Sequence, residues 1–517
     1  MLKKLPIGIQ DFEDLRTNDY LYIDKTALIH KLIKDGKYYF LSRPRRFGKS
    51  LLMSTLHAYF SGKKELFKGL AMESLEKEWI EYPVLHLDYN AINYRDESAL
   101  AKKIEWFLSS QEAVFAKSDK EKTFGQQFEG VIRRICEKTG RKVVILVDEY
   151  DKPILETIGY DSLQNRNCET LKDFYGALKS AEGYIKFVLI TGVTKFGKMG
   201  FPCDLNCLND ISMDLQYNDI CGITADELKN DCSAYVENLA QAQELSLEQT
   251  YAKLRQMYDG YHFHPEGKGI YNPFGLLNVF SSLRIGNFWF CTGTPTYLVE
   301  LLQQHDYNLE KMSREETEAD MLNSTDVNST NPIPVIYQSG YLTIKGYNQR
   351  FGTYTLGFPN KEVEQGFLKF LLPYYANMHN ASVQSTIRKF VTDIESGNAK
   401  GLTEGLRSFF AGHPYELIKD SENYYQNIIF CIFRLLGYYV KAEEHTSYGR
   451  IDLLLQSRDY TYIIELKHGG SAKEALKQIK DKEYDLPYRT DSSRKLILIG
   501  MNIDPEKRNI NEVEIEQ

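Results

Sequence analysis

The chain has 517 residues, of which 43% are hydrophobic and 26% charged, a composition typical of a folded protein with about two to four domains. Its net charge of −8 argues against attraction of nucleic acid to the whole surface, although a local basic groove is compatible with it. The sequence has no apolar run of membrane-span or signal-peptide type, so we expect a cytoplasmic protein without a membrane partner.

The first 200 residues alternate short apolar runs with longer segments of helical spacing. Because the apolar runs are hydrophobic on both faces, they favour a parallel sheet covered by helices on both sides. We therefore predict a three-layer α/β domain over residues 1–222. Its predicted strands are 37–42, 82–89, 142–150 and 184–192, and its predicted helices include 50–60 and 98–115.

After residue 222 the pattern becomes mainly helical. Helices are predicted at 224–243, where Thr224 and Glu227 have the spacing of a capping box, and at 247–261. Residues 323–332 are polar and predict a loop, and residues 335–347 predict a strand. We predict that residues 223–411 form a helical lid or winged-helix-like middle region and a linker.

From residue 412 onward a third pattern predicts a small α/β domain over residues 412–517. Its predicted elements are a helix at 421–436, strands at 438–445, 450–457 and 461–468, a helix at 472–484 and a strand at 495–500.

The segment SRPRRFGKS at 42–50 ends like a phosphate-binding loop. It lies between a predicted strand and a predicted helix, and the N–H groups at a helix N-terminus attract phosphate. In such a loop Gly48 lets the backbone approach a phosphate, Lys49 reaches the β- and γ-phosphates, and the Ser50 hydroxyl binds Mg²⁺. Because Arg43 stands where the general loop has its first glycine, an exposed basic turn is the alternative interpretation.

The segment VVILVDEYD at 143–151 strengthens the case for a nucleotide site. Asp148 ends an apolar strand, where its carboxylate can meet Mg²⁺, and Glu149 follows in position to deprotonate an attacking water. A capped strand end is the alternative for this acidic pair. The next strand ends in ITGVTK, where Thr191 or Thr194 can bring a hydroxyl near the γ-phosphate, although such residues also form ordinary turns.

Nine motifs follow one another over about residues 5–365: PIGIQDF, YIDKTALI, RPRRFGKSLL, VDEYDKP, ITGVTKF, MYDGYHF, YNPFGLL, SGYLTI and FPNKEV. They resemble the AAA-ATPase-like family, a prokaryotic group of P-loop ATPases with an extra strand between the P-loop strand and the strand that ends in the acidic pair. The resemblance implies ATP and Mg²⁺ as ligands, and it makes the RPRRFGKS loop a family feature. The implied ATP-binding residues are Arg45, Arg46, Phe47, Gly48, Lys49, Ser50, Leu51, Asp148 and Thr191, with Ser50 and Asp148 as metal ligands and Glu149 as a catalytic residue.

The last predicted domain carries GRIDLLLQ at 449–456 and YIIELKHGG at 462–470. Glu465 and Lys467 lie on the same face of one predicted strand, and Asp452 lies on the strand before it. If Asp452 registers opposite them, two carboxylates and an ammonium converge, an arrangement that suits Mg²⁺ or Mn²⁺ and cleavage of a phosphodiester. A cross-strand ion pair on an exposed hairpin is the alternative.

The order of these elements resembles the PD-(D/E)xK nuclease superfamily over about residues 415–505, with Ile451 in place of the literal proline. The resemblance implies Asp452, Glu465 and Lys467 as catalytic residues, with the two carboxylates as metal ligands. Further matches to the flanking motifs of that superfamily are Glu422, Gln478, Lys482 and Tyr484.

The combined prediction is an ATP-binding and ATP-hydrolysing protein whose Mg²⁺-dependent nuclease-like domain acts on DNA under nucleotide control. One alternative is a nucleotide-regulated protein that binds nucleic acid without cutting it, which an assay of metal-dependent cleavage would separate. Another alternative is an ATPase switch whose partner is a regulatory protein. Binding to DNA that shows no salt dependence would favour this alternative. Self-association into a homo-oligomer also stays open.

Overall fold

The chain folds into two compact units, of which unit 1 comprises residues 1–293 and 313–364 and unit 2 comprises residues 294–312 and 365–517. The predicted boundaries at 222 and 411 fall inside unit 1 and unit 2, and the three-domain division stays a prediction. This computed structural model describes residues 2–90, 92–195, 208–289, 315–318, 331–375, 380–411, 422–437, 441–446, 449–489, 493–507 and 509–517, together with residues 298, 302, 307, 309, 312 and 322.

A five-stranded parallel sheet forms the centre of unit 1, in the order β2-β3-β4-β1-β5. The four predicted strands are confirmed, and β4 lies between the P-loop strand β1 and the acidic strand β3, as the family resemblance implies. All six residues of β3 are buried, which explains its purely apolar run up to the terminal aspartate. The strands are β1 Tyr38–Ser42, β2 Val84–Asp88, β3 Val143–Asp148, β4 Ile185–Gly192 and β5 Asn209–Asp210.

Eight helices accompany this sheet in the described part of residues 2–195. Helices α3 and α6 both contact β3, and α5 and α8 pack against α6, so the predicted α/β class is confirmed. The helices are α1 Phe12–Thr17, α2 Thr26–Asp35, α3 Lys49–Phe60, α4 Ala71–Leu75, α5 Ala99–Phe115, α6 Phe124–Thr139, α7 Lys152–Leu155 and α8 Asp161–Ser180.

The remainder of unit 1 combines helices with two small antiparallel sheets, one of β6 and β7 and one in the order β8-β10-β9. Its helices are α9 Ala225–Asp231, α10 Ser233–Ala242, α11 Leu247–Tyr258, α12 Pro273–Ser282 and α13 Ile333–Gln338. Its strands are β6 Ile223–Thr224, β7 Ile270–Tyr271, β8 Glu316–Glu318, β9 Thr343–Asn348 and β10 Thr353–Gly357.

Two predictions for this region were partly wrong. The helix predicted over 224–243 is interrupted at Cys232, which ends α9 and precedes α10, although the capping box of Thr224 and Glu227 is present. The strand predicted over 335–347 begins at Thr343, because residues 333–338 form α13 and Gly340 then turns the chain with a left-handed φ of +88°. Within the loop predicted over 323–332, residues 323–330 lie outside the described residues.

Unit 2 contains a mixed five-stranded sheet in the order β11-β12-β13-β14-β15, in which β13 and β14 are parallel and the other pairs antiparallel. The predicted succession of helix, three strands, helix and strand is confirmed. Its strands are β11 Lys441–Thr446, β12 Gly449–Gln456, β13 Tyr460–His468, β14 Lys495–Asp504 and β15 Asn509–Glu516.

Four helices lie wholly in unit 2, and a fifth, α14, begins in unit 1 and continues in unit 2 after residue 364. They are α14 Lys361–Tyr375, α15 Asn380–Glu395, α16 Ala399–Ala411, α17 Glu422–Leu436 and α18 Ala472–Asp481. Across the described ranges, no helix has both the length and the apolar character needed to cross a bilayer.

Candidate functional site

The phosphate-loop segment connects β1 to α3. Gly48 precedes the first helical residue with a left-handed φ of +96°, and its missing Cβ faces open space. This conformation directs the chain into α3, whose first N–H groups lack acceptors within the helix and carry partial positive charge. The loop therefore has the backbone features that bind phosphate.

The side chain of Lys49 lies inside this loop. Its ammonium Nζ donates hydrogen bonds to the carbonyl oxygens of Arg43 at 2.9 Å and Pro44 at 3.3 Å, and the residue is 4% exposed. The loop carbonyls thus hold a buried positive charge at the point where the sequence predicts contact with phosphate. The contact of Lys49 with the β- and γ-phosphates stays a prediction.

The carboxylate of Asp148 joins three elements at the end of β3. Ser50 Oγ donates to Asp148 Oδ2 at 2.6 Å, and Thr191 Oγ1 donates to Asp148 Oδ1 at 2.6 Å. The Glu149 N–H also donates to Asp148 Oδ1, at 3.1 Å. The register of β3 with β4 brings Asp148 and Thr191 together, since Val147 pairs with Ile190. Hydroxyl and carboxylate oxygens are ligands that Mg²⁺ prefers, so Ser50 and Asp148 fit the predicted ion.

The two acidic residues after Asp148 have different surroundings. Glu149 is half-buried and has a left-handed φ of +52°, which marks a sharp turn directly after β3. Asp151 is 1% exposed, and its Oδ2 accepts hydrogen bonds from Val193 N at 3.0 Å, Thr194 N at 2.6 Å and Thr194 Oγ1 at 2.8 Å. Burial raises the pKa of Asp151 to about 6. Asp151 therefore fixes the backbone of the loop after β4. Of the two threonines named in the sequence analysis, Thr191 contacts Asp148 and Thr194 contacts Asp151.

Lys195, the last residue of the ITGVTK segment, is held by two contacts within unit 1. Its Nζ pairs with Asp210 Oδ2 at 2.6 Å, and its backbone N–H donates to Gln338 Oε1 at 2.8 Å. The ammonium is thus already neutralised by a carboxylate from β5.

Arg43 replaces the first glycine of the general loop and is itself 1% exposed. Its guanidinium donates to the carbonyl oxygens of Ser212 at 2.7 Å and Tyr217 at 3.1 Å, and its Cζ lies 3.9 Å from the ring centroid of Phe263. Burial lowers the pKa of Arg43 to about 10. The side chain therefore anchors the entrance of the loop to the segment after β5.

The next loop residues contact the later motifs of unit 1. The Phe47 ring is buried in edge contacts with Tyr261 at 4.7 Å and Phe263 at 5.6 Å. Arg46 is exposed, and its Cζ lies 4.5 Å from the ring centroid of Phe274. The Phe47 ring is therefore engaged within unit 1, and the predicted contact of Phe47 with ATP stays a prediction. The predicted roles of Arg45, Arg46 and half-buried Leu51 in ATP binding stay predictions.

The second candidate site lies in unit 2, where Gln478 of α18 joins two residues of β13. Gln478 Nε2 donates to Glu465 Oε1, and Lys467 Nζ donates to Gln478 Oε1. Glu465 is 2% exposed and Lys467 is half-buried. The structure thus brings together three of the predicted nuclease residues, and the carboxylate oxygens of Glu465 fit a divalent cation.

The other predicted nuclease residues are less completely described. Asp452 lies on β12 next to Leu453, which pairs with Ile464, the residue before Glu465. The side chains of Asp452 and of Glu422 at the start of α17 lie outside the described part.

Two supporting residues follow Gln478 in the chain. Tyr484 is 4% exposed and packs in the hydrophobic core of unit 2, and Lys482 is the exposed C-cap of α18. Among the side chains that the structure describes, no three His, Cys, Asp or Glu residues form a metal-binding cluster.

Sequence reasoning missed three features of the first site. Two of them are the anchoring role of Arg43 and the hydrogen bonds of Asp151 to the loop after β4. Both residues lie within family motifs, RPRRFGKSLL and VDEYDKP, and this position was the signal that the sequence offered. The third is a hydrogen bond from Trp289 Nε1 to the Arg45 carbonyl at 3.1 Å, and Trp289 lies outside every motif.

The fold and the two sites define a P-loop ATPase fold joined to a nuclease fold. Residues 6–201 match the family model described as "Predicted AAA-ATPase", and residues 420–513 match that of the PD-(D/E)XK nuclease superfamily. The chain is also similar to the "Uncharacterized protein in vnfD 5'region" of Azotobacter chroococcum mcd 1, with 33% identity over 519 residues and 98% of each chain covered. It belongs to the AAA-ATPase-like family and has a C-terminal domain of the PD-(D/E)XK nuclease superfamily.

Proposed function

We propose that unit 1 binds and hydrolyses ATP with Mg²⁺. The observation that carries this proposal is the meeting of Ser50, Asp148 and Thr191 through two hydrogen bonds of 2.6 Å, beside a loop that buries Lys49. These residues come from α3, β3 and β4, and their side-chain chemistry matches what a Mg²⁺–nucleotide site needs.

Each residue has a distinct role in this proposal. The loop N–H groups and the Lys49 ammonium bind the phosphates, while Ser50 and Asp148 hold Mg²⁺, which when bound offsets the negative charge of the phosphate oxygens. Thr191 keeps the carboxylate of Asp148 oriented through its 2.6 Å hydrogen bond. Glu149 orients the attacking water and accepts its proton.

Replacement of Lys49 tests nucleotide binding. Lys49→Ala removes the buried ammonium, so we expect it to abolish stabilisation by Mg-ATP in thermal denaturation. Nucleotide at about 100 times its Kd should stabilise the parent by roughly 2.7 kcal/mol. Lys102→Ala removes an exposed lysine from α5 and should keep the full shift. If Lys49→Ala were stabilised as much as the parent, the phosphate-loop assignment would be wrong.

We further propose that unit 2 cleaves DNA with Mg²⁺ or Mn²⁺, under control of the nucleotide bound to unit 1. The contact chain Glu465–Gln478–Lys467 supports this, because it holds a carboxylate and an ammonium on one face of β13. Glu465 and Asp452 would hold the metal ion, and Lys467 would stabilise negative charge that develops on the phosphate. The presence of both folds on one chain supports nucleotide control.

The same arrangement is compatible with a domain that grips nucleic acid without cutting it. Incubation of the purified protein with plasmid DNA, with and without Mg²⁺ or Mn²⁺, separates the two functions. Metal-dependent cleavage supports the nuclease proposal. Binding without any cleavage of DNA under either metal supports the regulated binding protein.

A further inference from the structure

The segment 286–289 is held in place by two side chains of unit 1. The Tyr258 hydroxyl accepts a hydrogen bond from Gly286 N at 3.0 Å and donates to Gly286 O at 2.8 Å. The carboxylate of Glu362, in the first turn of α14, accepts hydrogen bonds from Phe288 N and, at 2.8 Å, from Trp289 N. Glu362 is 1% exposed, so a buried carboxylate fixes the backbone at Trp289.

Trp289 connects this segment to the phosphate loop. Its ring is 7% exposed and makes an edge contact with Tyr341, with centroids 5.2 Å apart. Its indole Nε1 donates to the Arg45 carbonyl oxygen at 3.1 Å. The ring position is therefore fixed by packing and by the backbone bond to Glu362, and its one polar atom is directed to the loop.

The bond to Arg45 constrains the peptide between Arg45 and Arg46. In a planar trans peptide the C=O and the following N–H point in opposite directions. When Trp289 holds the Arg45 carbonyl on one side, the Arg46 N–H is directed to the other. Arg46 also has a left-handed φ of +69°, a conformation that a non-glycine residue keeps when its surroundings impose it.

We propose that Trp289 and Glu362 are positioning residues that orient the Arg45–Arg46 peptide so that its N–H faces the phosphates. This inference rests on the proposed binding of nucleotide to unit 1. It adds two residues, each more than 200 positions from the loop in sequence, to those that prepare the site for its ligand.

Substitution of Trp289 by Phe keeps an aromatic ring against Tyr341 and removes the N–H donor. We expect Trp289→Phe to weaken ADP binding, measured by titration calorimetry, by about threefold to tenfold, the usual worth of one hydrogen bond. Trp106→Phe is the matched control, since Trp106 is 67% exposed on α5. Its affinity for ADP should equal that of the parent.

The role of Glu362 is tested by a pair of variants and by their combination with Trp289→Phe. Glu362→Gln keeps an acceptor for the two N–H groups, so ADP affinity should stay within about twofold of the parent. Glu362→Ala removes the acceptor and should weaken ADP binding like Trp289→Phe. Because both residues act through the same peptide, the double variant Trp289→Phe/Glu362→Ala should be little worse than either single variant.

The pH dependence of stability provides a readout that does not depend on nucleotide. Burial raises the pKa of Glu362 from 4.5 to about 7. Burial also raises the pKa values of the neighbouring Tyr258 and Tyr261 above their usual 10. The folded protein therefore holds the Glu362 proton more tightly than the unfolded chain. The contribution of protonated Glu362 to the free energy of unfolding is complete below pH 4.5 and is lost as the pH rises through about 7. Glu362→Gln should remove this part of the pH dependence of the Tm.

The outcomes separate the two proposals. Parent protein that binds no ADP contradicts the proposed function of unit 1, and with it this inference. Parent protein that binds ADP, with Trp289→Phe and Glu362→Ala both within twofold of its affinity, contradicts the positioning role alone. If Glu362→Ala does not fold, the positioning role is tested by Trp289→Phe and its control alone. Equal ADP affinities of Trp289→Phe and Trp106→Phe then contradict that role.

Discussion

Asp148 illustrates how single side chains prepare the nucleotide site. Its carboxylate is 3% exposed and accepts hydrogen bonds from Ser50, Thr191 and the Glu149 N–H. A buried charge of this kind is stable when its lone pairs are satisfied by donors, and such charge-assisted bonds are stronger than neutral ones. The three donors also fix the direction of the carboxylate before any ligand binds.

Under the proposed function Glu149 acts in catalysis and not in nucleotide binding, so its replacement separates the two. Glu149→Gln keeps the size of the side chain and removes the base, so nucleotide should bind with parent-like affinity. ATP turnover, measured as phosphate release, should fall by about 10²–10⁴-fold, the usual worth of general-base catalysis. The control Glu137→Gln changes an exposed carboxylate on α6 and should be neutral. Parent-like turnover in Glu149→Gln would assign the base elsewhere, with Asp151 as the next candidate.

At the scale of single residues, the sequence predicts those site residues that lie close to one another along the chain. Gly48, Lys49 and Ser50 are consecutive, and Asp148 ends an apolar strand, so their pattern could be recognised directly. The contact of Trp289 with Arg45 joins residues 244 positions apart, and no periodic pattern or motif marks it. Such contacts arise from packing between distant segments, which a single sequence does not encode in a readable form.

At the scale of elements, the phosphate loop is enclosed by parts of unit 1 that lie far beyond it in sequence. Gly340, between α13 and β9, lies so close to Pro44 that an added Cβ would be 2.5 Å from the proline Cβ. Phe47 packs against Tyr261 and Phe263 of the segment before β7. These contacts place residues of the later motifs SGYLTI and MYDGYHF directly against the loop.

Gly340→Ala tests this enclosure. Both Gly340, with φ +88°, and Gly352, with φ +66°, are left-handed, but a Cβ on Gly352 would meet no atom within 4 Å. Each substitution to Ala should cost about 1–2 kcal/mol through backbone strain. Gly340→Ala should cost about 1–3 kcal/mol more, because the methyl group overlaps Pro44 and displaces the loop. Thermal denaturation measures the difference, and ADP affinity should fall in Gly340→Ala alone. Equal effects of the two variants would contradict the close packing.

Most elements could be predicted because their hydrophobic patterns are strong. Strand β3 is a buried apolar run up to Asp148, β1, β2 and β4 are mainly apolar, and β12 and β13 are rich in Ile and Leu. The segment 335–338 was predicted as strand because its Val and Ile favour that state, whereas packing and the turn at Gly340 place it in a helix. Strand β15 was missed because its three apolar residues, Ile510, Val513 and Ile515, do not keep the even spacing of two that marks a strand.

At the scale of the whole molecule, the chain carries two folds with separate sets of polar residues. Lys49, Ser50, Asp148 and Glu149 belong to unit 1, and Asp452, Glu465 and Lys467 belong to unit 2. Because the two sets share no residue, loss of one set should leave the basal chemistry of the other intact. Nucleotide control of cleavage would then act through conformation.

The most direct test measures plasmid cleavage and ATP hydrolysis in the same samples, with Mg²⁺ or Mn²⁺, for the parent, Asp452→Ala and Glu465→Gln. The parent should cleave DNA when metal is present, and both variants should lose cleavage because a ligand of the water-activating ion is removed. Their basal ATP hydrolysis should persist, and the control Glu506→Gln, at an exposed position before β15, should keep both activities. Undiminished cleavage by both variants, or collapse of ATP hydrolysis in correctly folded variants, would contradict the division into two sites.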